Sequence, residues 1–320
     1  MKKLDAGLQF LDWTENRERY AEIYFDSVGD QYLTVKTNNS ATSCTLKLDF
    51  HSDHGTVISD YVFGSFRFSP NGGRYIAYQA EEKKPPLMRF LWRPSFTEVP
   101  RLESPAIYLY DVENVKFRRL KVPNGYAPGQ LTWHPDGKHL VGVAWSTKRT
   151  SLLFPWATNK KNRLFVINVE KNRFKFLSNS DYHFFAPRFS PDGSSLIYFE
   201  NCLHSTTEPK IYPGPSGLSS RLMHLKWDHV MKHLGNGEDP MHTKKTLINN
   251  SQMGENHPIE LPDGTTFYGL YPTIKMLLPM RTFSADGKTV YLSTFEVATL
   301  KIMAVEIETL QVSILVFLES

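Results

Sequence analysis

An all-β chain assembled from repeated antiparallel sheets is the fold class that this sequence predicts. Three observations lead there. Aromatic residues make up 13% of the chain, as 15 Tyr, 21 Phe and 6 Trp, and fall in short alternating runs that suit strands. One turn signature recurs four times. Long stretches of helical periodicity are nearly absent, so short strands joined by turns describe the sequence best.

The elements follow in order. Up to residue 58, Thr45-Leu-Lys-Leu-Asp-Phe50 and Thr56-Val-Ile58 read as paired strands, with no recognisable hairpin before them. The turn signature then appears as Phe68-Ser-Pro-Asn-Gly72 leading to Tyr75-Ile-Ala-Tyr78, and as Trp133-His-Pro-Asp-Gly137 leading to Leu140-Val-Gly-Val143. It returns as Phe189-Ser-Pro-Asp-Gly193 before Leu196-Ile-Tyr-Phe199 and as Phe283-Ser-Ala-Asp-Gly287 before Val290-Tyr-Leu-Ser293. Proline presets a turn dihedral, and Asp-Gly or Asn-Gly supplies the positive φ that a tight hairpin needs.

A second hairpin follows the first in three of these units. The segments are 107–113 with 117–120, 164–170 with 174–177, and 302–308 with 312–315. Two successive hairpins make a four-stranded antiparallel sheet, the blade of a β-propeller. The Asp/Asn positions 71, 136, 192 and 286 lie 65, 56 and 94 residues apart. A plain blade takes about 40–50 residues, so the surplus belongs in loops such as 206–217 and 235–240. In the stretch Arg221–Leu234, Leu222, Leu225 and Val230 could make a helical face, whereas Met223, Leu225 and Trp227 alternate; the strand is preferred because the repeat demands one there. Length alone would allow two or three domains, but the repeat points to one propeller domain over 1–320, with approximate blades 1–58, 59–120, 121–178, 179–248 and 249–320. An open fan of five leaves two unpaired edges, so either the ring closes tightly or further sequence completes it.

Composition excludes several classes of function. Lys+Arg number 37 against 33 Asp+Glu, a net charge of +4 with the basic residues scattered, which does not support nucleic-acid binding. Two cysteines, Cys44 and Cys202, are too few for a disulfide scaffold or a cysteine-based zinc site and suit a reducing, cytoplasmic setting. The N-terminal stretch has no apolar region of a signal peptide, and the apolar run 312–318 falls short of the ~20 residues of a membrane span.

Chemical motifs are scarce. Gly-x-Ser-x-Gly, which presents a nucleophilic serine on a strained turn, is absent, and Gly214-Pro-Ser-Gly217 reads as a turn. His229 and His233 would share a face if their segment were helical, but no glutamate or third ligand accompanies them. Glycine-rich phosphate loops are missing. The run 83–93 mixes cations with aromatics and reads as an inter-strand loop. No position is assigned a catalytic, cofactor-binding or metal-ligating role, and no cofactor is expected.

With the repeats located, the chain resembles the β-propeller region of acylaminoacyl-peptidases, members of the prolyl oligopeptidase group of serine peptidases. The segments that carry the resemblance are 78–85, 127–133 and 141–145, then the run from Asn162-Arg-Leu through Ser178 to Ala186-Pro-Arg-Phe-Ser-Pro-Asp-Gly193. A match to the family's acidic, Trp-containing loop falls near Ser95-Phe-Thr-Glu98, with Phe96 in place of the Trp. The resemblance implies a seven-bladed propeller, incomplete here, that caps an α/β-hydrolase domain and admits only short N-acylated peptides to a Ser-Asp-His triad. It implies as partners that catalytic domain or an intact homologous subunit, or a homo-oligomer. No triad residue maps onto this chain, which on this reading is inactive alone. The alternative is a free-standing propeller that serves as a protein-interaction module, or an inactive paralogue.

Overall fold

The computed structural model describes residues 7–38, 43–48, 54–58, 64–70, 72–82, 105–146, 162–178, 182–202, 221–248, 259–260, 264, 266–267, 270, 278–296 and 299–319. They fall into two compact units, one of Met1–Lys160 with Val166–Lys175, the other of Lys161–Phe165 with Phe176–Ser320.

In the first unit, β1 (Gly7–Trp13), β2 (Arg19–Phe25), β3 (Gln31–Thr37) and β4 (Ser43–Lys47) form an antiparallel sheet in that order. The second sheet has a split first strand, because β5 (His54–Val57) and β6 (Phe66–Phe68) both pair with β7 (Tyr75–Glu82). It continues through β8 (Ala106–Asp111) and β9 (Lys116–Leu120). A third sheet, of which residues 162–165 and 176 count with the second unit, orders β10 (Tyr126–Trp133), β11 (His139–Ser146), β12 (Asn162–Asn168) and β13 (Arg173–Phe176).

The second unit contains β14 (Tyr182–Phe189), β15 (Ser195–Cys202), β16 (Arg221–Lys226) and β17 (Lys245–Ile248) in one four-stranded sheet. A small hairpin of β18 (Ile259–Glu260) and β19 (Thr266–Phe267) follows. The last sheet holds β20 (Thr289–Glu296), β21 (Thr299–Glu306) and β22 (Val312–Glu319), its first strand reduced to the bridge Phe283–Val290. The second hairpins expected from sequence are those of β8–β9, β12–β13 and β21–β22.

Burial explains why some strands alternate and others are apolar throughout. In β2 only Ala21 and Ile23 are buried, the pattern of a sheet covered on one face. Residues 76–80 of β7, 140–145 of β11 and 196–200 of β15 are buried in unbroken runs, so those sheets are covered on both faces. In the first unit Ile23, Leu33 and Val35 pack against Phe66, Ile76, Tyr78 and Tyr110 of the next sheet. In the second, Ile197, Phe199 and Leu222 pack against Val290, Leu292, Met303 and Val305. Each such side chain contributes about 1.5–3 kcal/mol by leaving water.

Three expectations are corrected. Thr45 and Thr56 do not belong to one hairpin: the first lies in β4 and the second in β5, in different sheets. The true first hairpin is β1–β2, whose turn carries neither proline nor glycine. In the stretch 221–234 the strand ends at Lys226, and an α-helix, α1 (Trp227–Asn236), follows, burying Trp227, Val230 and Leu234. Residues 235–240 are likewise no plain loop: Gly235 and Asn236 finish α1, Gly237 caps it at φ 76°, and a 3-10 turn starts at Pro240.

Candidate functional site

Outside the second sheet, where Ser69 N bonds Tyr75 O at 2.7 Å, one residue further on, the turn between first and second strand repeats bond for bond. Its closing bonds run from Thr14 N to Arg19 O, His134 N to His139 O, Ser190 N to Ser195 O and Ser284 N to Thr289 O, at 2.9–3.0 Å. The fourth residue donates back to the first, from Arg17, Gly137, Gly193 and Gly287, and each is left-handed, at φ 55°, 67°, 76° and 71°. The third residue's side chain accepts from the backbone two residues on: Asn16 from Glu18, Asp136 from Lys138, Asp192 from Ser194, and Asp286 from Lys288. Arg17 thus stands where the other turns have glycine, a conformation that costs a side-chain-bearing residue about 1 kcal/mol.

Immediately before the strand-ending aromatic stand Asp12, Arg67, Thr132, Arg188 and Thr282. Four of the five, Asp12, Arg67, Arg188 and Thr282, hold neighbouring backbone. Asp12 accepts from Phe68 N at 2.8 Å, and burial pushes its carboxyl up against the pull of the Arg67 guanidinium. Arg67 donates from Nη1 to Phe66 O at 2.8 Å, and burial lowers its pKa. Arg188 donates to the carbonyls of Pro279 (3.1 Å), Leu278 (2.7 Å) and Pro187 (2.8 Å). Thr282 donates to Tyr291 O at 2.6 Å.

Two buried amides do the same from the third strand. Gln31 accepts from Val57 N at 2.8 Å and donates to Val57 O at 3.4 Å, joining the first sheet to the second. Asn162 accepts from Phe184 N at 2.7 Å and donates to Phe184 O at 2.8 Å. Both head a β-strand and grip the backbone of a first strand in the sheet that follows. Sequence reasoning missed them, although an amide opening the third strand is a findable signal.

Further polar groups are buried in the fourth sheet. Glu200 is fully buried between Lys244 (3.0 and 3.1 Å) and Arg221 (3.3 Å). Ser195 Oγ meets His224 Nε2 at 2.9 Å, and burial, then Lys245 and Lys226, lowers the His224 pKa to about 4. Among the described residues no carboxylate meets this imidazole. With so weak a base and no acid to orient it, the pair lacks the parts of a hydrolytic triad.

His224 does predict a pH dependence. Its folded pKa lies below the unfolded 6.5, so the unfolded chain binds more protons between the two values and stability falls as pH drops from 6.5 toward 4. The expected loss is about 2 kcal/mol across that window, read from urea midpoints. His224→Asn should flatten this part of the profile, and an unchanged slope refutes the assignment.

The other residues that the sequence singles out do not converge. His229 is exposed on α1, and His233 Nδ1 pairs with Glu238 Oε2 at 2.5 Å. Gly214–Gly217, the run 83–93 and Ser95–Glu98 lie outside the described residues. No helix among the described residues is long and apolar enough to cross a membrane.

Successive antiparallel sheets, three of them four-stranded and four opening on the same turn, define the blades of a β-propeller. Among solved structures, oligogalacturonate lyase from Vibrio parahaemolyticus matches with a TM-score of 0.54 at 11% identity, over 99% of this chain and 68% of that one. Tricorn protease matches with a TM-score of 0.52 at 11% identity, over 96% of this chain and 26% of that one. Likeness at this identity concerns the fold alone. No protein-family model matches the chain. In sequence the chain is similar to the acylamino-acid-releasing enzyme of Homo sapiens, 23% identical over 310 residues, which cover 86% of this chain and 37% of that protein. The mouse enzyme gives the same identity over 87% of the chain and 38% of its own length. The chain therefore spans less than two fifths of the length of these curated relatives.

Proposed function

We propose that this chain is the non-catalytic propeller of an acylaminoacyl-peptidase-like serine hydrolase of the cytoplasm, one domain over 1–320. Its role is to gate a catalytic α/β-hydrolase domain that lies outside this chain, so that short N-acylated peptides reach the nucleophile and longer chains do not. The observation that carries this reading is the similarity to acylamino-acid-releasing enzymes along 86% of the chain. Three first-strand residues support it: Asp12, Arg67 and Arg188 bind backbone of their own strand or of the next sheet or loop, which suits a rigid rim better than a reactive centre. In the hydrolase the serine attacks the acylated residue's carbonyl as histidine takes its proton, and backbone donors hold the oxyanion. A rim that excludes bulky substrates acts before those steps and needs no titrating group.

A second reading, a free-standing interaction module or inactive paralogue, draws on Leu8, Leu11 and Trp13, which stand 59%, 47% and 43% exposed along β1. One pair of measurements separates the readings. A fluorophosphonate probe should leave every serine of the chain unlabelled, Ser195 included. Added to the hydrolase domain of an acylamino-acid-releasing enzyme, the chain should suppress cleavage of long acetylated peptides while sparing an acetylated dipeptide. Labelling of Ser195 refutes inactivity, and equal cleavage of both peptides with and without the chain refutes gating.

A further inference from the structure

The turn of the third blade departs from its equivalents in a way its own geometry does not require. Thr14, Ser190 and Ser284 open their turns with a hydroxyl that donates to the Asn or Asp two residues on, at 2.6–2.7 Å, and accepts from the backbone nitrogen five residues on, at 3.0 Å. In the third blade the opening residue is His134 and the residue five further on is His139, so two imidazoles flank Asp136. The backbone bonds that close the turn are unchanged. A serine would therefore have sufficed.

His134 Nδ1 lies 3.1 Å from Asp136 Oδ1, and His139 Nδ1 lies 2.6 Å from Asp136 Oδ2. One donor atom from each residue falls within 4.8 Å of the other two. Around a metal with bonds of about 2.1 Å, ligand atoms stand roughly 3–3.4 Å apart, so His134 already has its distance to Asp136 and the closer His139–Asp136 pair must open by a few tenths of an ångström. The carboxylate is already oriented, because Oδ1 accepts from Lys138 N (2.7 Å) and His139 N (3.0 Å). His134 Nδ1 accepts a hydrogen bond from the Asp136 N–H at 3.1 Å, so its lone pair already points into the turn and a bound ion takes the place of that bond. The side chains are 13%, 31% and 16% exposed, which shelters the site and leaves ions a path to it.

We propose that His134, Asp136 and His139 form a binding site for one divalent transition-metal ion of the zinc and copper class. Two imidazole nitrogens and one carboxylate select that class over magnesium or calcium, and water completes the coordination. One neighbour tempers affinity. Asn168 presents its amide nitrogen to His139 Nε2 at 3.3 Å, its oxygen being held by Lys171 N at 2.9 Å. Binding at Nδ1 places the imidazole proton on Nε2, which then faces a donor instead of an acceptor. Asn168→Asp supplies the acceptor and creates the carboxylate–histidine–metal arrangement that orients ligands in established sites.

The test is calorimetric titration of the full chain with zinc, and with copper followed by electron paramagnetic resonance. One equivalent should bind, copper more tightly than zinc, with nitrogen hyperfine structure from imidazole. His139→Gln should weaken binding at least tenfold, and Asn168→Asp should tighten it about tenfold. His134→Ser restores the residue that other turns of this chain carry, so it keeps the fold while removing a ligand, and it should also weaken binding. No saturable binding, affinity unchanged by His134→Ser, or weaker binding in Asn168→Asp would each overturn the proposal.

Discussion

Asn162→Leu is expected to lower stability by about 2–4 kcal/mol, because it removes the acceptor and the donor that bond the buried N–H and C=O of Phe184, and losing the partner of a buried polar group costs about 1–3 kcal/mol. Asn162 is 1% exposed and leucine is similar in size, so neither a cavity nor a surface effect confuses the result. The two bonds belong to a side chain that mimics a strand edge: it offers one acceptor and one donor to a single residue of β14. Urea denaturation followed by tryptophan fluorescence gives the measurement. A loss under about 1 kcal/mol would mean that water or a shifted backbone replaces the clamp.

Lys244→Met is expected to cost about 3 kcal/mol, since it strips the bidentate partner from a fully buried carboxylate and leaves Glu200 with Arg221 alone. The informative variant is the double one. Glu200→Met with Lys244→Met removes the buried charge together with its partner and should recover most of the loss, because a buried ion pair adds little over well-packed apolar groups of similar size. A thermodynamic cycle on urea midpoints reads the coupling. Additive losses would show that Lys244 contributes through its aliphatic stem instead of its charge.

What was legible in the sequence was local. The turns at Ser190 and Ser284 announce themselves because proline or alanine, aspartate and glycine satisfy four consecutive residues without help from elsewhere, and the strands follow from apolar runs beside them. Thr14-Glu-Asn-Arg17 makes the same bonds with neither proline nor glycine, so nothing in its composition marks the first hairpin. The strand–helix junction was obscured because Trp227 satisfies both periods: it continues the alternation of Met223 and Leu225, and it begins the buried helical face with Val230 and Leu234. The polar contacts were out of reach for another reason. Asn162 with Phe184, Arg188 with Leu278 and Glu200 with Lys244 join residues 22, 90 and 44 positions apart, and no local pattern encodes such a meeting.

The left-handed glycines of the turns bear on how the protein ages. Asp-Gly is prone to isomerise, because the unhindered glycine nitrogen attacks the aspartate carboxyl to close a succinimide ring. In the turns at Asp136, Asp192 and Asp286 that nitrogen donates to the carbonyl three residues back, at 2.9–3.0 Å. Each carboxylate is meanwhile held by backbone N–H groups of the residues beyond the glycine. Ring closure would have to break both sets of bonds at once. The folded repeat therefore protects these three Asp-Gly linkages, and isoaspartate should build up at them only in chains whose turns have opened.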